Sequence, residues 1–150
     1  MRISRKAEYA LRALTAMARK PLNAVSQIEE LASAEHIPLK FLEQILLTLK
    51  KAGLLKSRRG VGGGYQLDLP PARISLADIL TAVDGPFRPM SCTPPEPGGR
   101  AKAACDCGTA GGCGPGRIFT DLQTRVHEFL NRTTLADALM REQAAMQFDI

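Results

Sequence analysis

Between residues 85 and 117 the chain holds 8 glycines and 6 prolines in 33 positions, together with all four of its cysteines. Such a stretch resists helix and strand alike, because proline removes a backbone donor and glycine carries the highest ordering cost. It therefore divides the 150 residues into a patterned first half and a patterned C-terminal tail. At 45% hydrophobic and 23% charged residues, the rest can still build a core. The length fits one small domain with an appended segment. No run approaches the apolar length that crosses a bilayer, and the opening MRISRKAEYALRAL lacks a secretory apolar region. The sequence reads as a cytoplasmic protein with no membrane partner.

Charge is segregated as well. Residues 1–60 carry 12 Lys and Arg against 5 Asp and Glu, whereas residues 61–150 carry 8 against 10. A basic half joined to a mildly acidic one suggests a polyanion-binding module followed by a sensing or assembly module. Lysines serving only for solubility would account for the total but not for the segregation.

Helical spacing runs from Ser4 to Arg19 and ends at Pro21 and Asn23. Ser26-Gln27-Ile28-Glu29 has the pattern of a capping box and predicts a short helix over 27–34. His36-Ile37-Pro38 makes a turn, since the residue before proline is pushed out of the helical region. A third helix is predicted from about Leu39, with Phe41, Leu42, Ile45 and Leu49 facing the core. Its outward side carries Lys40, Glu43, Gln44, Leu47, Lys50 and Lys51, and Gly53 ends it. Strands over 54–58 and 65–69 then flank the tip Arg59-Gly60-Val61-Gly62-Gly63-Gly64, which predicts a hairpin. Ser75 caps a helix over 76–83. Beyond the cysteines, Phe119, Leu122, Val126 and Phe129 recur 3-4-3 in a helix over 118–131, as in a coiled-coil seam. Thr134 caps a last helix, from Leu135 to about Phe148.

These parts assemble into a mainly helical chain with a small β-hairpin wing, a winged helix-turn-helix followed by a long helix with a coiled-coil-like seam. A major groove about 12 Å wide admits one helix, whose outer side must offer groups that meet base edges. Gln44 can pair with adenine, Glu43 can accept from cytosine and Leu47 can touch a thymine methyl, while Lys40 and Lys51 suit phosphates. At the hairpin, Arg58 and Arg59 stand beside Gly62 and Gly63, so a guanidinium can enter a minor groove without steric hindrance. An ordinary solvated helix face would also be polar and lysine-rich, and it is the basic glycine tip that tips the balance to double-stranded DNA. Nucleotide binding through the glycines is excluded. Tyr65 stands where a dinucleotide fingerprint needs its third glycine, and no Lys-Ser/Thr follows for a P-loop.

The cysteines are spaced Cys92-x12-Cys105-x-Cys107-x5-Cys113. Structural disulfides need an oxidising compartment, and a structural zinc site usually brings a C-x2-C pair, which is absent here. A thiol redox switch needs accessible cysteines near positive charge, which Arg88, Arg100, Lys102 and Arg117 supply. An iron–sulfur cluster needs several thiolates on a loop free to wrap them, and this loop offers that.

The run Phe41-Leu42-Glu43-Gln44-Ile45 and the tip Arg59-Gly60-Val61-Gly62-Gly63-Gly64-Tyr65 resemble the IscR/NsrR-type regulators, the Rrf-two family. Tyr9-Ala10-Leu11 and Thr134-Leu135-Ala136-Asp137 carry the same likeness. The resemblance implies a homodimeric bacterial transcription factor on a partly palindromic operator, joined through the helix at 118–131. It implies operator contacts from Glu43, Gln44 and Arg59, and an iron–sulfur cluster, 2Fe-2S or 4Fe-4S, held by three cysteines of the loop. Cys92, Cys107 and Cys113 match that pattern, with Cys105 an extra thiol inside a longer gap. The family's fourth ligand is often not cysteine. Some members take a histidine three residues after the last cysteine, where this chain has Gly116; others use an acidic residue of the partner's first helix, where Glu8 stands.

The expected organisation is a DNA-binding unit over 1–71, a connecting helix over 72–85, a cluster-binding loop over 86–117 and a dimerisation and C-terminal helix pair over 118–150. The function expected is regulation of transcription, with operator affinity controlled by a cluster that senses iron, redox or nitric oxide status. The alternative is a regulator of the same fold without a cluster, sensing thiol oxidation or a partner protein. No paired carboxylates and no Ser-His or Cys-His arrangement suggest an enzyme. His36 and His127, the only histidines, are expected to be structural or solvated.

Overall fold

Apolar residues at helical period build the first half, and the computed structural model describes residues 3–94 and 113–148. Helix α1 (Arg5–Ala18) buries Ala7, Ala10, Ala13, Leu14 and Met17, so its inner face is mostly alanine and admits close neighbours. Helix α2 (Ile28–Ala34) buries Leu31 and Ala32. Helix α3 (Leu39–Lys51) buries Leu42, Ile45, Leu46 and Leu49 and packs on both α1 and α2. Strands β1 (Leu55–Arg58) and β2 (Gly64–Leu67) form an antiparallel hairpin in which Leu55 lies opposite Leu67 and Arg58 opposite Gly64. Both leucines of that first pair enter the core.

Two local expectations need correction. Phe41 does not face the core but is 54% exposed, and Leu46 is fully buried instead. The buried arc of α3 is centred on Leu42 and Leu49, and Phe41 stands about a quarter turn off it at 100° per residue. Ser26 is no helix cap: Gln27 occupies that place, and its side chain makes no capping bond. Ser26 instead pairs as a β-bridge with Tyr65, through Ser26 N donating to Tyr65 O at 2.8 Å and Tyr65 N donating to Ser26 O at 3.0 Å. The approach is so close that a Cβ on Gly64 would lie 2.2 Å from Ser26 O.

A 3-10 turn (Pro71–Arg73) leads to helix α4 (Leu76–Asp84), which buries Ala77 and Ile79. Ser75 and Asp78 form a reciprocal capping box at its start, as the sequence predicts. Helix α5 (Gly114–Arg132) begins one turn earlier than the expected Ile118, with Pro115 in its first turn, where a missing amide costs least. Helix α6 (Leu135–Phe148) starts at Thr134, whose hydroxyl and amide both donate to Asp137 Oδ2, at 2.7 and 2.8 Å.

The two capped starts lie side by side. Ser75 and Thr134 are bridge partners, Leu76 N donates to Thr133 O at 2.9 Å, and Leu135 N donates to Ile74 O at 2.9 Å. Ile74 and Leu135 are both fully buried in the common core, so the tail is joined to the first half through backbone and side chains together. Arg19 adds an ion pair from α1 to Glu142 on α6 and a second, at 3.4 Å, to Glu35. The hydrogen bonds that Arg19 donates to Glu142, then the charges of Glu142 and Glu35, hold its guanidinium above its ordinary value.

Candidate functional site

The outward side of α3 is where a groove-reading helix would carry its contacts, and Lys40, Glu43, Gln44, Leu47 and Lys51 are all exposed there. Lys50 turns aside, its Nζ donating to Ser57 Oγ at 2.7 Å and so tying the end of α3 to β1. In the wing, Lys56 pairs with Asp68 at 3.6 Å. Arg58 and Arg59 are exposed, and like Lys40 and Lys51 they have no ion pair or side-chain hydrogen bond among the described residues. The helix and wing thus present four cations whose charge is not neutralised within the described chain. Gly63 has its own reason to lack a side chain: a Cβ there would meet Arg58 O at 2.5 Å and Gly60 O at 2.8 Å, closing the tip.

A second cluster of candidate residues lies between α4 and α5. Cys92 and Cys113 are free, half-buried thiols. Cys113 is the N-cap of α5, and Cys92 lies in the segment that leaves α4. Both sulfurs lie beside Gly116: a Cβ built there would be at ordinary contact distance, 3.6 Å from Cys113 Sγ and 3.8 Å from Cys92 Sγ. Two free thiols brought beside the same glycine fit a thiolate-held cluster or another two-thiol ligand. Among the described residues no third His, Cys, Asp or Glu joins them. Cys105 and Cys107 lie outside the described residues. Glu8 is in the first turn of α1, half-exposed. His36 sits at φ 50° in the turn before α3, and His127 shares a 2.7 Å hydrogen bond with Asn131.

One residue of this region gives no signal in the sequence. Gln123 is the one buried residue of α5, and its Nε2 donates to Phe87 O at 2.9 Å and Pro94 O at 2.8 Å. A lone glutamine in an amphipathic helix reads as solvent-facing, so its role emerges only from the fold. Nearby, Arg88 Nη2 donates to Ser91 O at 2.8 Å and Thr93 O at 3.0 Å, the carbonyls on either side of Cys92.

The expected seam on α5 is only partly covered. Val126 and Leu130 line a cavity of about 590 Å³ against Leu80 of α4 and Phe87. Ile118 and Phe129 are 69% and 57% exposed. No helix among the described residues is long and apolar enough to cross a membrane.

Residues 3–141 match a family model described as Rrf2, iron-dependent transcriptional regulator. An HTH-type transcriptional regulator of Haemophilus influenzae is 33% identical over 147 residues, which span 98% of this chain and 92% of that protein. The HTH-type transcriptional regulator IscR of Vibrio cholerae is 32% identical over 140 residues, 93% of this chain and 76% of that one. The solved structure of CymR, the global cysteine regulator of B. subtilis, is similar at a TM-score of 0.73 and 26% identity, covering 94% of this chain and 98% of CymR.

Proposed function

Because this chain belongs to the Rrf2 family of transcriptional regulators, we propose that it acts as a homodimer on a double-stranded DNA operator, under the control of an iron–sulfur cluster held by Cys92, Cys113 and a further thiol of the 86–117 loop. Its fold is that of the family, a winged helix-turn-helix with appended helices, and the family and relatives are transcriptional regulators, not enzymes. The observation that carries the cluster reading is that two free cysteine sulfurs lie beside the same residue, Gly116.

On the DNA side, α3 enters the major groove with Gln44 and Glu43 at base edges and Lys40 and Lys51 on phosphates. Arg59 reaches the minor groove from the wing, with Arg58 on the backbone and Gly62 and Gly63 allowing close approach. A dimer reads two half-sites about 34 Å apart, so the angle between its two recognition helices decides affinity.

A bound cluster supplies a centre that reacts with oxidants and nitric oxide and is lost when iron is scarce. The chain's own residues transmit the consequence. Cys92 follows α4 and Cys113 caps α5, so drawing the two thiols together fixes α4 against α5. Helix α4 also packs on α1 and α3, and the same constraint therefore reaches the recognition helix. Cys107 is the favoured third ligand on spacing, with Cys105 or the partner's Glu8 completing the set.

The test is operator affinity of the anaerobically purified protein, cluster-loaded and stripped, at fixed salt. A clear difference is expected, and equal affinities overturn the reading. Cys105→Ala and Cys107→Ala separate the ligand from the spare thiol by which one loses visible absorption. Similarity to CymR favours a second reading, a cluster-free regulator in the cytoplasm that responds to thiol chemistry. A colourless protein that retains full operator binding would favour it.

A further inference from the structure

We infer that Gln123 is a positioning residue for the Cys92 thiol, holding the 87–94 segment against α5 in advance of any ligand; the assignment rests on the thiolate-ligation reading above. Gln123 and Gly116 are seven residues apart on α5, hence on one face of the helix. Gly116 lies beside the Cys92 sulfur, and two turns on Gln123 holds the segment that carries it. One side-chain amide bonds the carbonyls of Phe87 and Pro94, so it staples both ends of the segment at once.

The interior of the segment is held too. Arg88 spans the carbonyls of Ser91 and Thr93, and Thr93 is 1% exposed, with its Oγ1 donating to Met90 O at 2.7 Å. Cys92 thus stands between two clamped peptide groups while its own side chain is left half-exposed. Gln123 is itself only 1% exposed, and its Oε1 is buried with no donor among the described residues. Burying a half-satisfied amide is unfavourable unless its two donors are needed. An apolar side chain of similar size would fill the volume but leave the two carbonyls unheld. The consequence is a ligand arm that keeps its place when the metal centre is lost, so that reloading needs no refolding of this arm.

The test compares the reduced, metal-free full chain with Gln123→Leu and Arg88→Ala. Each is pulse-alkylated with iodoacetamide, and the Cys92 and Cys113 peptides are read separately by mass spectrometry. In Gln123→Leu the Cys92 rate should rise by about an order of magnitude or more, the effect of losing two hydrogen bonds on local opening, with Cys113 unchanged. Arg88→Ala, a surface change that spares the core, should act in the same direction and less. Unchanged Cys92 rates in both variants, or equal acceleration of both cysteines, overturn the assignment. Reconstitution with iron and sulfide adds a spectroscopic readout: Gln123→Leu should show an altered visible circular dichroism signal relative to the parent, and an identical signal counts against the assignment. If the parent stays colourless while the alkylation pattern holds, the ligation reading fails and the clamp stands.

Discussion

The unit built from α1 to α4 and the helix α5 treat their apolar residues in opposite ways. In the first, Leu14, Leu42, Ile45, Leu46, Leu49 and Ile79 are wholly shielded by the chain itself. Helix α5 has an equally regular apolar pattern, yet Ile118 and Phe129 stay mostly exposed and its one buried residue is polar. The core of the first unit closes within this chain, with Leu135 of α6 contributing to it, whereas α5 leaves apolar side chains uncovered, as the proposed dimer seam requires. The outward side of α3 is exposed for another reason, since apart from Leu47 its groups, Lys40, Glu43, Gln44 and Lys51, are polar and need water.

The harshest way to break this contrast is to empty the first core. Leu46→Ala should cost about 2–5 kcal/mol in chemical denaturation, because a buried leucine is lost and its cavity only partly collapses. Phe129→Asp should leave the fold of one chain intact and weaken self-association by about 2–4 kcal/mol, seen as monomer in analytical ultracentrifugation. An unchanged dimer would show that α5 is not the seam. Arg59→Ala should weaken operator binding by about 1–3 kcal/mol at fixed salt without altering melting temperature. Unchanged affinity would demote the wing to a structural hairpin.

The junction between the two regions gives the smallest effect. The Thr134 amide, then its hydroxyl, hold the Asp137 carboxyl below its ordinary value of 3.8, with Arg141 adding to the effect. A depressed folded value means that the stabilisation is present above 3.8 and is lost as pH falls through the lowered value. Asp137→Asn should therefore melt slightly lower than the parent near neutral pH, and the gap should close in strong acid. A gap that persists in acid would assign the effect to shape rather than charge.

Much of this was legible before the fold was seen. The helix at 39–51, the hairpin with its basic tip, and the caps at Ser75 and Thr134 all follow from signals within a few residues of one another. Ser26 misled because its capping pattern is also local, while its true partner, Tyr65, lies far along the chain and meets it only where Gly64 carries no side chain. Phe41 misled by a quarter turn. The spacing of apolar residues reports an angle around the helix axis, but not which neighbour arrives to cover it.

Sequence alone determined the elements, the segregation of charge and the loop in which every thiol lies, because periodicity, capping and composition act at short range. Tertiary structure decided which apolar faces are covered, that Cys92 and Cys113 both lie beside Gly116, and that Gln123 is turned inward onto the carbonyls of Phe87 and Pro94. Those outcomes depend on contacts between segments some 20 to 40 residues apart. Such contacts form only when α4 and α5 pack, and no local pattern encodes which backbone carbonyl a buried amide will find.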